Sequence, residues 1–202
     1  MSRTIELARA VLSLALLPCV LVLGCRAPRN SAGAEQEVAR AGRLYDEADY
    51  AGAAAAYEQA ARLDPESLPA RIGLGSALLG LGRHDEARQA YETAARLHPK
   101  DPWPYFGLGQ VETVTGRTEQ ALAAYREFAR LQPGNPNAQG RIGRALHALG
   151  RFPEAVLAFE KAEAMDPRYF TCGCRPMEHA LFREARKAAS PGAGVRQGAP
   201  GS

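Results

Sequence analysis

The middle of the chain is built from apolar and small residues that recur at a fixed spacing. The segment endings ARLDP, ARLHP, ARLQP and AEAMDP place prolines at positions 65, 99, 133 and 167, each 34 residues after the previous one. Small and aromatic residues keep the same phase, in the columns Ala41, Gly75, Gly109 and Gly143 and Tyr57, Tyr91, Tyr125 and Phe159. Self-similarity at a fixed period predicts an array of stacked structural repeats.

Each repeat unit predicts two helices. A proline lacks a backbone donor and has a fixed φ, so the closing prolines predict the ends of helical runs. The first helix of each later unit is expected to end at a glycine that can adopt positive φ: Gly82, Gly116 and Gly150. We expect Asp49 to cap the second helix of the first unit, Thr118 to cap that of the third, and Pro153 to lie in the first turn of the fourth.

This pattern resembles the tetratricopeptide repeat (TPR) family, most closely in YFGLG at 105–109, ALAAY at 121–125 and Pro133. The chain departs from the family pattern at two positions. Ala41 stands in the column of small residues that is glycine in the other repeats, and Glu112 stands where a large apolar residue is usual. The resemblance implies an all-α fold, a right-handed superhelical solenoid of four helix pairs followed by a C-terminal capping helix. The four repeats are expected at 35–67, 68–101, 102–135 and 136–167.

The repeat pattern breaks down after Pro167, and residues 168–189 predict a Cys-x-Cys segment followed by a capping helix. Pro176 to Ala189 reads as one amphipathic helix, with Glu178 placed outside its apolar face. We expect this face to cover the second helix of the fourth repeat through Met177, Ala180, Leu181, Ala185 and Ala188. Residues 190–202 predict a disordered tail.

The N-terminus has the composition of an export signal. Arg3 and Arg9 precede an uncharged apolar run from Ala10 to Gly24, which is shorter than the ~20 residues of a transmembrane helix and suits a signal peptide. Its ending, VLGC, resembles a bacterial lipobox. That resemblance implies a lipoprotein signal peptide at 1–24 and a lipidated Cys25 with a short tether at 25–34. With Arg26 next, it implies a lipid-anchored protein of the bacterial cell envelope, at the outer membrane facing the periplasm. An uncleaved anchor and an ordinary secretion signal are the alternatives.

The charge pattern does not point to nucleic acid. The formal net charge is +3, and the chain has no block of like charge. The composition, with 46% hydrophobic and 23% charged residues, is ordinary for a globular protein. We therefore expect a protein or peptide partner, and membrane contact through the lipid anchor.

The sequence offers one set of residues that could carry chemistry. Cys172 and Cys174 would be in an oxidising compartment after export, so a disulfide is one interpretation, although a Cys-x-Cys ring is small and strained. A metal site with His179 would have three ligands and lack an evident fourth. The other histidines are scattered, so we expect no enzyme and no cofactor.

The TPR resemblance also implies that the first helix of each repeat lines a concave groove. The partner-binding residues it implies are Tyr45, Ile72, Ser76, Leu79, Trp103, Phe106, Gln110, Asn137, Arg141, Arg144 and His147. The Lys/Asn set with which some chaperone-binding TPR domains clamp a carboxylate is missing. We therefore expect a groove that is apolar at its centre, with Arg141 and Arg144 near one end. Trp103 is either an aromatic anchor for the partner or a packing residue on the Pro99–Pro102 corner.

The function that these features predict is a non-catalytic, membrane-tethered scaffold or assembly factor that binds a peptide or partner helix in the groove. Two alternatives stay open at this point. One is a thiol-redox or metal-linked function at Cys172 and Cys174. The other is a soluble TPR adaptor, if the N-terminal segment is not a signal peptide.

Overall fold

The computed structural model describes residues 30–170 and 176–190. This part of the chain contains α-helices and no strand. The helices are α1 (Ser31–Asp46), α2 (Tyr50–Leu63), α3 (Leu68–Gly80), α4 (His84–Leu97), α5 (Trp103–Val114), α6 (Thr118–Leu131), α7 (Pro136–Ala148), α8 (Phe152–Met165) and α9 (Pro176–Ala189).

The first eight helices form four antiparallel pairs that stack in chain order. Each second helix packs on its own first helix and on the first helix of the next pair, and α9 packs on both α7 and α8. This arrangement confirms the expected all-α solenoid of four helix pairs. Helix α1 begins at Ser31, so residues 31–34, assigned to a tether by the sequence pattern, belong to a helix. Ala34 is buried in one cluster with Ala60 and Ala70.

The turns within the repeats use the predicted left-handed residues. Gly82, Gly116 and Gly150 have φ values of 73°, 75° and 71°, which confirms the glycine caps. Ala48 takes the equivalent place in the first repeat at φ 62°, a conformation that a side chain disfavours.

Two of the three expected helix starts are confirmed. The side chain of Asp49 accepts a hydrogen bond from the Gly52 N–H at 2.9 Å, and Pro153 lies in the first turn of α8. The expected cap at Thr118 is wrong. Helix α6 already begins at Thr118, Arg117 occupies the cap position, and no side chain caps the helix there.

The aromatic column packs directly on the glycine column. Tyr91 is buried between its own first helix and the next one, where a Cβ added to Gly75 would lie 2.7 Å from the ring carbon Cζ and one added to Gly107 would overlap the ring. Tyr57 meets Gly73 in the same way. The rings therefore fill the space that the missing side chains leave, and Tyr57 and Tyr91 each tie their repeat to the next one.

Glu112 is 7% exposed in a column that is otherwise leucine. Its carboxylate accepts a hydrogen bond from Arg88 Nε at 2.7 Å and another from Arg117 Nε. In the second and fourth repeats the arginine that corresponds to Arg117 pairs with a glutamate three residues later in the chain. In the third repeat that later position is Gln120, so Arg117 pairs with Glu112 instead. Because Arg88 belongs to the second repeat, the buried carboxylate is satisfied by a link between two repeats.

The packing face of α9 differs from the expected one. Phe182 and Ala185 are buried and Leu181 is half-buried, whereas Met177 is 58% exposed. Ala180 and Ala188, also expected inside, are exposed. The reason is aromatic packing: Phe182 stacks on Phe170 with ring centroids 5.1 Å apart and lies 5.8 Å from Phe159, and this contact sets the rotation of the helix.

We expect Gly107→Ala to lower the free energy of unfolding. Alanine favours a helix over glycine by about 1 kcal/mol, but overpacking a filled site costs about 1–3 kcal/mol or more. Gly134→Ala, in the turn before α7, is the control for the added methyl group, because nothing lies within 4 Å of a Cβ there. Urea denaturation should show a loss for Gly107→Ala and no loss for Gly134→Ala. If both variants match the parent, Tyr91 does not set the spacing of the repeats.

We expect Phe182→Asp to detach the capping helix or to destabilise the whole array. A carboxylate in that aromatic cluster would be buried without a partner, which costs several kcal/mol. Met177→Asp, on the same helix but exposed, controls for the added charge and should leave the melting temperature unchanged. Equal melting temperatures for the two variants would contradict the docking of α9 through Phe182.

Candidate peptide-binding groove

The first helices of the repeats line a concave face that holds three hollows. The first hollow, of about 480 Å³, is walled by the first three repeats and has no charged residue in its lining; its main residues are Val38, Tyr45, Pro69, Ile72, Ser76 and Trp103. The second, of about 270 Å³, is lined mainly by Trp103, Phe106, Phe128, Asn137, Arg141 and Glu178. The third, of about 240 Å³, includes Thr113, Tyr125, Arg141, Arg144, His147 and Leu181.

Trp103 is shared by the first and second hollows. Its ring packs on Phe106 and Phe128, with centroids 6.0 Å and 5.8 Å away, and 48% of the residue stays exposed. The N–H of Trp103 donates to Asp101 Oδ1 at 2.9 Å, which holds the first turn of α5 in place. The tryptophan is therefore supported by aromatic residues of its own repeat and still presents about half of its surface to the groove.

Core tyrosines support the groove from below. Ser76 Oγ donates to the Ile72 carbonyl at 3.0 Å, so in the 2.9 Å contact between Ser76 Oγ and Tyr91 Oη the tyrosine is the donor. Burial raises the pKa of Tyr91, which keeps this donor protonated. In the third repeat Thr113 Oγ1 donates to the Gly109 carbonyl at 2.7 Å, so it accepts a hydrogen bond from the Tyr125 hydroxyl at 3.2 Å.

Arg141 stands 34 residues after Gly107, which itself follows Gly73 at the same interval. Helix α1 packs on α3 and α3 packs on α5, but α5 and α7 make no comparable contact. The second and third hollows are lined from these two helices, and Arg141 belongs to both. Its guanidinium carbon lies 5.4 Å from the centroid of the Phe106 ring. An arginine in a glycine column thus coincides with the place where the first helices separate.

The other two basic groove residues predicted in the fourth repeat, Arg144 and His147, face carboxylates of α9. Arg144 Nη1 donates to Glu178 Oε1 at 3.3 Å, and His147 Nε2 lies 3.3 Å from Glu184 Oε2. Glu178 therefore points into the groove, which corrects its placement outside the packing face of α9. Because α9 packs on α7 and α8, its acidic residues reach two side chains that the sequence pattern had assigned to partner binding.

The remaining predicted residues fall in different places. Tyr45, Ile72 and Ser76 line the first hollow, and Asn137 lines the second. Leu79 and Gln110 are half-buried and line none of the three hollows; Leu79 packs against the core cluster of the second repeat. Cys25, Cys172 and Cys174 lie outside the described residues.

Sequence reasoning missed Phe128, Tyr169 and Glu178 as groove residues. Phe128 stands in a column of alanines and so reads as core. The other two follow the last repeat, where the period no longer assigns positions. The ring of His179, the third ligand of the metal alternative, stacks on Phe170 at 5.6 Å.

Two further classes of site are not seen in residues 30–170 and 176–190. This part of the chain holds no group of three or more His, Cys, Asp or Glu side chains that could bind a metal ion. It also holds no helix that is both long enough and apolar enough to span a membrane.

The chain was compared with known proteins and structures. Two family models described as tetratricopeptide repeat match residues 44–111 and 106–169. No curated protein sequence matches the chain.

Three similar solved structures share the fold. MamA 41-end from Desulfovibrio magneticus RS-1 is 18% identical, with a TM-score of 0.63 over 77% of this chain and 90% of that one. YrrB, described as a TPR protein with an unusual peptide-binding site, is 20% identical, with a TM-score of 0.59 over 79% and 88%. The first TPR of Spaghetti (RPAP3), bound to an HSP90 peptide, is 20% identical, with a TM-score of 0.58 over 60% and 97%.

The two matched segments together run from residue 44 to residue 169 of the 202-residue chain and contain the four helix pairs from the end of α1 onwards. The 34-residue period, the aromatic rings on glycines and the all-α solenoid agree with this assignment. The chain belongs to the tetratricopeptide repeat family.

Proposed function

We propose that this protein is a non-catalytic scaffold or assembly factor that binds a peptide or partner helix in its concave groove. The observation that carries the proposal is the uncharged first hollow beside the half-exposed Trp103. Aromatic residues that are rigid and partly exposed are the usual anchors of binding hot spots. YrrB has a peptide-binding site and the RPAP3 domain binds an HSP90 peptide on the same fold, which supports this mode of action.

We also propose that the scaffold is lipid-anchored in a bacterial cell envelope, at the outer membrane facing the periplasm. The support is the ending VLGC after an uncharged apolar run. More than one acyl chain is needed for stable anchoring. Helix α1 begins at Ser31, so five residues separate it from Cys25 and can span at most about 18 Å. The groove would then work close to the membrane surface.

Trp103→Ala should weaken peptide binding by about 2 kcal/mol or more, because the substitution removes the wall between two hollows. The measurement is calorimetric titration with a peptide selected on the parent protein from a random 12-residue library. Leu157→Ala is the control, since Leu157 is exposed as well, at 58%, but lies on the second helix of its repeat, outside the three hollows. Identical affinities for all three proteins would place the binding site elsewhere.

Cys25→Ala should abolish lipidation and leave an unprocessed precursor. Metabolic labelling with an alkyne fatty acid in a Gram-negative host measures this directly. Cys19→Ala is the matched control, because Cys19 lies within the signal segment and should not carry lipid after processing. The anchor proposal is wrong if Cys25→Ala still matures and takes up label like the parent.

A further inference from the structure

Arg141 is an unusual cation for this groove. The first hollow has no charged residue in its lining, and Arg144 and His147 face carboxylates from α9. Among the described residues, Arg141 makes no ion pair, and the contact recorded for its guanidinium is with the Phe106 ring. It is half-buried, so its charge is partly removed from water without a carboxylate in compensation.

The stacking on Phe106 leaves the hydrogen-bonding capacity of Arg141 available. A cation–π contact uses the charge of the guanidinium and none of its five N–H donors. The ring also restricts the side chain, so less rotamer freedom is lost when a ligand pairs with it. Glu178 lines the second hollow together with Arg141, but its carboxylate pairs with Arg144. Arg141 is thus a positioned donor that forms no ion pair among the described residues.

The neighbouring arginine shows how this groove accepts such a group. Arg144 binds Glu178 at 3.3 Å, and the two side chains are largely buried. The carboxylate of Glu178 is presented by α9, a helix that packs against the fourth repeat. A helix or extended segment lying along the groove could present an acidic side chain to Arg141 in the same manner.

The position of Arg141 decides between a side chain and a chain end. Arg141 is shared by the second and third hollows, as Trp103 is shared by the first and second. A ligand that follows the hollows would cross Arg141 with its backbone continuing on both sides. The carboxylate should therefore be an internal side chain.

We propose that the partner segment carries an Asp or Glu side chain that pairs with Arg141, at a fixed spacing from a bulky apolar side chain that fills the first hollow beside Trp103. This inference rests on the proposed function of the groove and adds the chemistry of the partner. Charge complementarity to Arg141 is what selects an acidic partner over a neutral one.

The test uses a random 12-residue peptide library, displayed so that no peptide has a free C-terminus. The library is selected in parallel on the full chain, on Arg141→Gln, on Arg141→Lys, and on Arg126→Gln as a control. Arg126 is an exposed arginine of α6 that lines none of the three hollows. We expect an acidic position in the peptides selected on the parent, on Arg141→Lys and on Arg126→Gln, and its loss on Arg141→Gln. The apolar position should appear with all four proteins.

One selected peptide is then synthesised with its acidic residue intact and with that residue changed to the amide. The change should weaken binding to the parent about tenfold, as expected for the loss of a charge-assisted hydrogen bond. It should not alter binding to Arg141→Gln. Peptides with a free and an amidated C-terminus should bind equally, because the inference assigns the contact to a side chain.

The outcomes separate this inference from the function on which it rests. Peptides that depend on Trp103 but show no acidic position, or an amide peptide that loses as much affinity on Arg141→Gln as on the parent, overturn the inference and leave the groove proposal standing. Preference for a free C-terminus also overturns it. Failure to select any peptide that depends on Trp103 overturns both. Circular dichroism of each variant, which should match the parent, shows that the fold is intact.

Discussion

The architecture depends on an aromatic ring that needs glycine on both of its sides. Tyr91 lies between Gly75 of its own repeat and Gly107 of the next, and neither position has room for a methyl group. Because the ring belongs to a second helix and the glycines belong to first helices, one contact sets the spacing within a repeat and between repeats. Close packing of this kind tolerates little change in volume, which explains why the small and aromatic columns run together.

The places where the chain leaves this pattern are where its individual features arise. Arg141 occupies the column of Gly73 and Gly107, and there the first helices α5 and α7 lack the close contact that the earlier first helices make. Glu112 replaces a leucine and would be an unpaired buried charge without Arg88 and Arg117. The repeat pattern thus explains how the helices pack, and the departures from it explain where charged side chains lie within the array.

Much of the fold could be predicted because a 34-residue period reports on every repeat at once. The turn glycines, the cap at Asp49 and the placement of Trp103 on a first helix follow from that register. The rotation of α9 could not, because it is set by Phe182 against Phe170, and these residues lie beyond the last full repeat. For the same reason the 34-residue period could not predict that Arg144 pairs with Glu178, which lies beyond the last repeat. Helical periodicity predicted an apolar face for α9, but the face that is buried lies roughly one residue further along the helix, because Phe182 packs on Phe170.

The capping helix shapes the groove as well as closing the array. Helix α9 packs on α7 and α8 as α3 packs on α1 and α2 and α5 packs on α3 and α4, so it takes the place of a fifth first helix. In that place it contributes Glu178 and Glu184, which engage Arg144 and His147, and it leaves Arg141 alone toward the centre of the line of hollows. An array that ended at α8 would leave Arg141, Arg144 and His147 without a carboxylate from α9. With α9 in place, Arg141 is held by Phe106 and has no ion pair among the described residues, and the second hollow separates it from the entry of the uncharged first hollow. That contrast between hollows, rather than overall charge, is the basis for selectivity in the proposed groove.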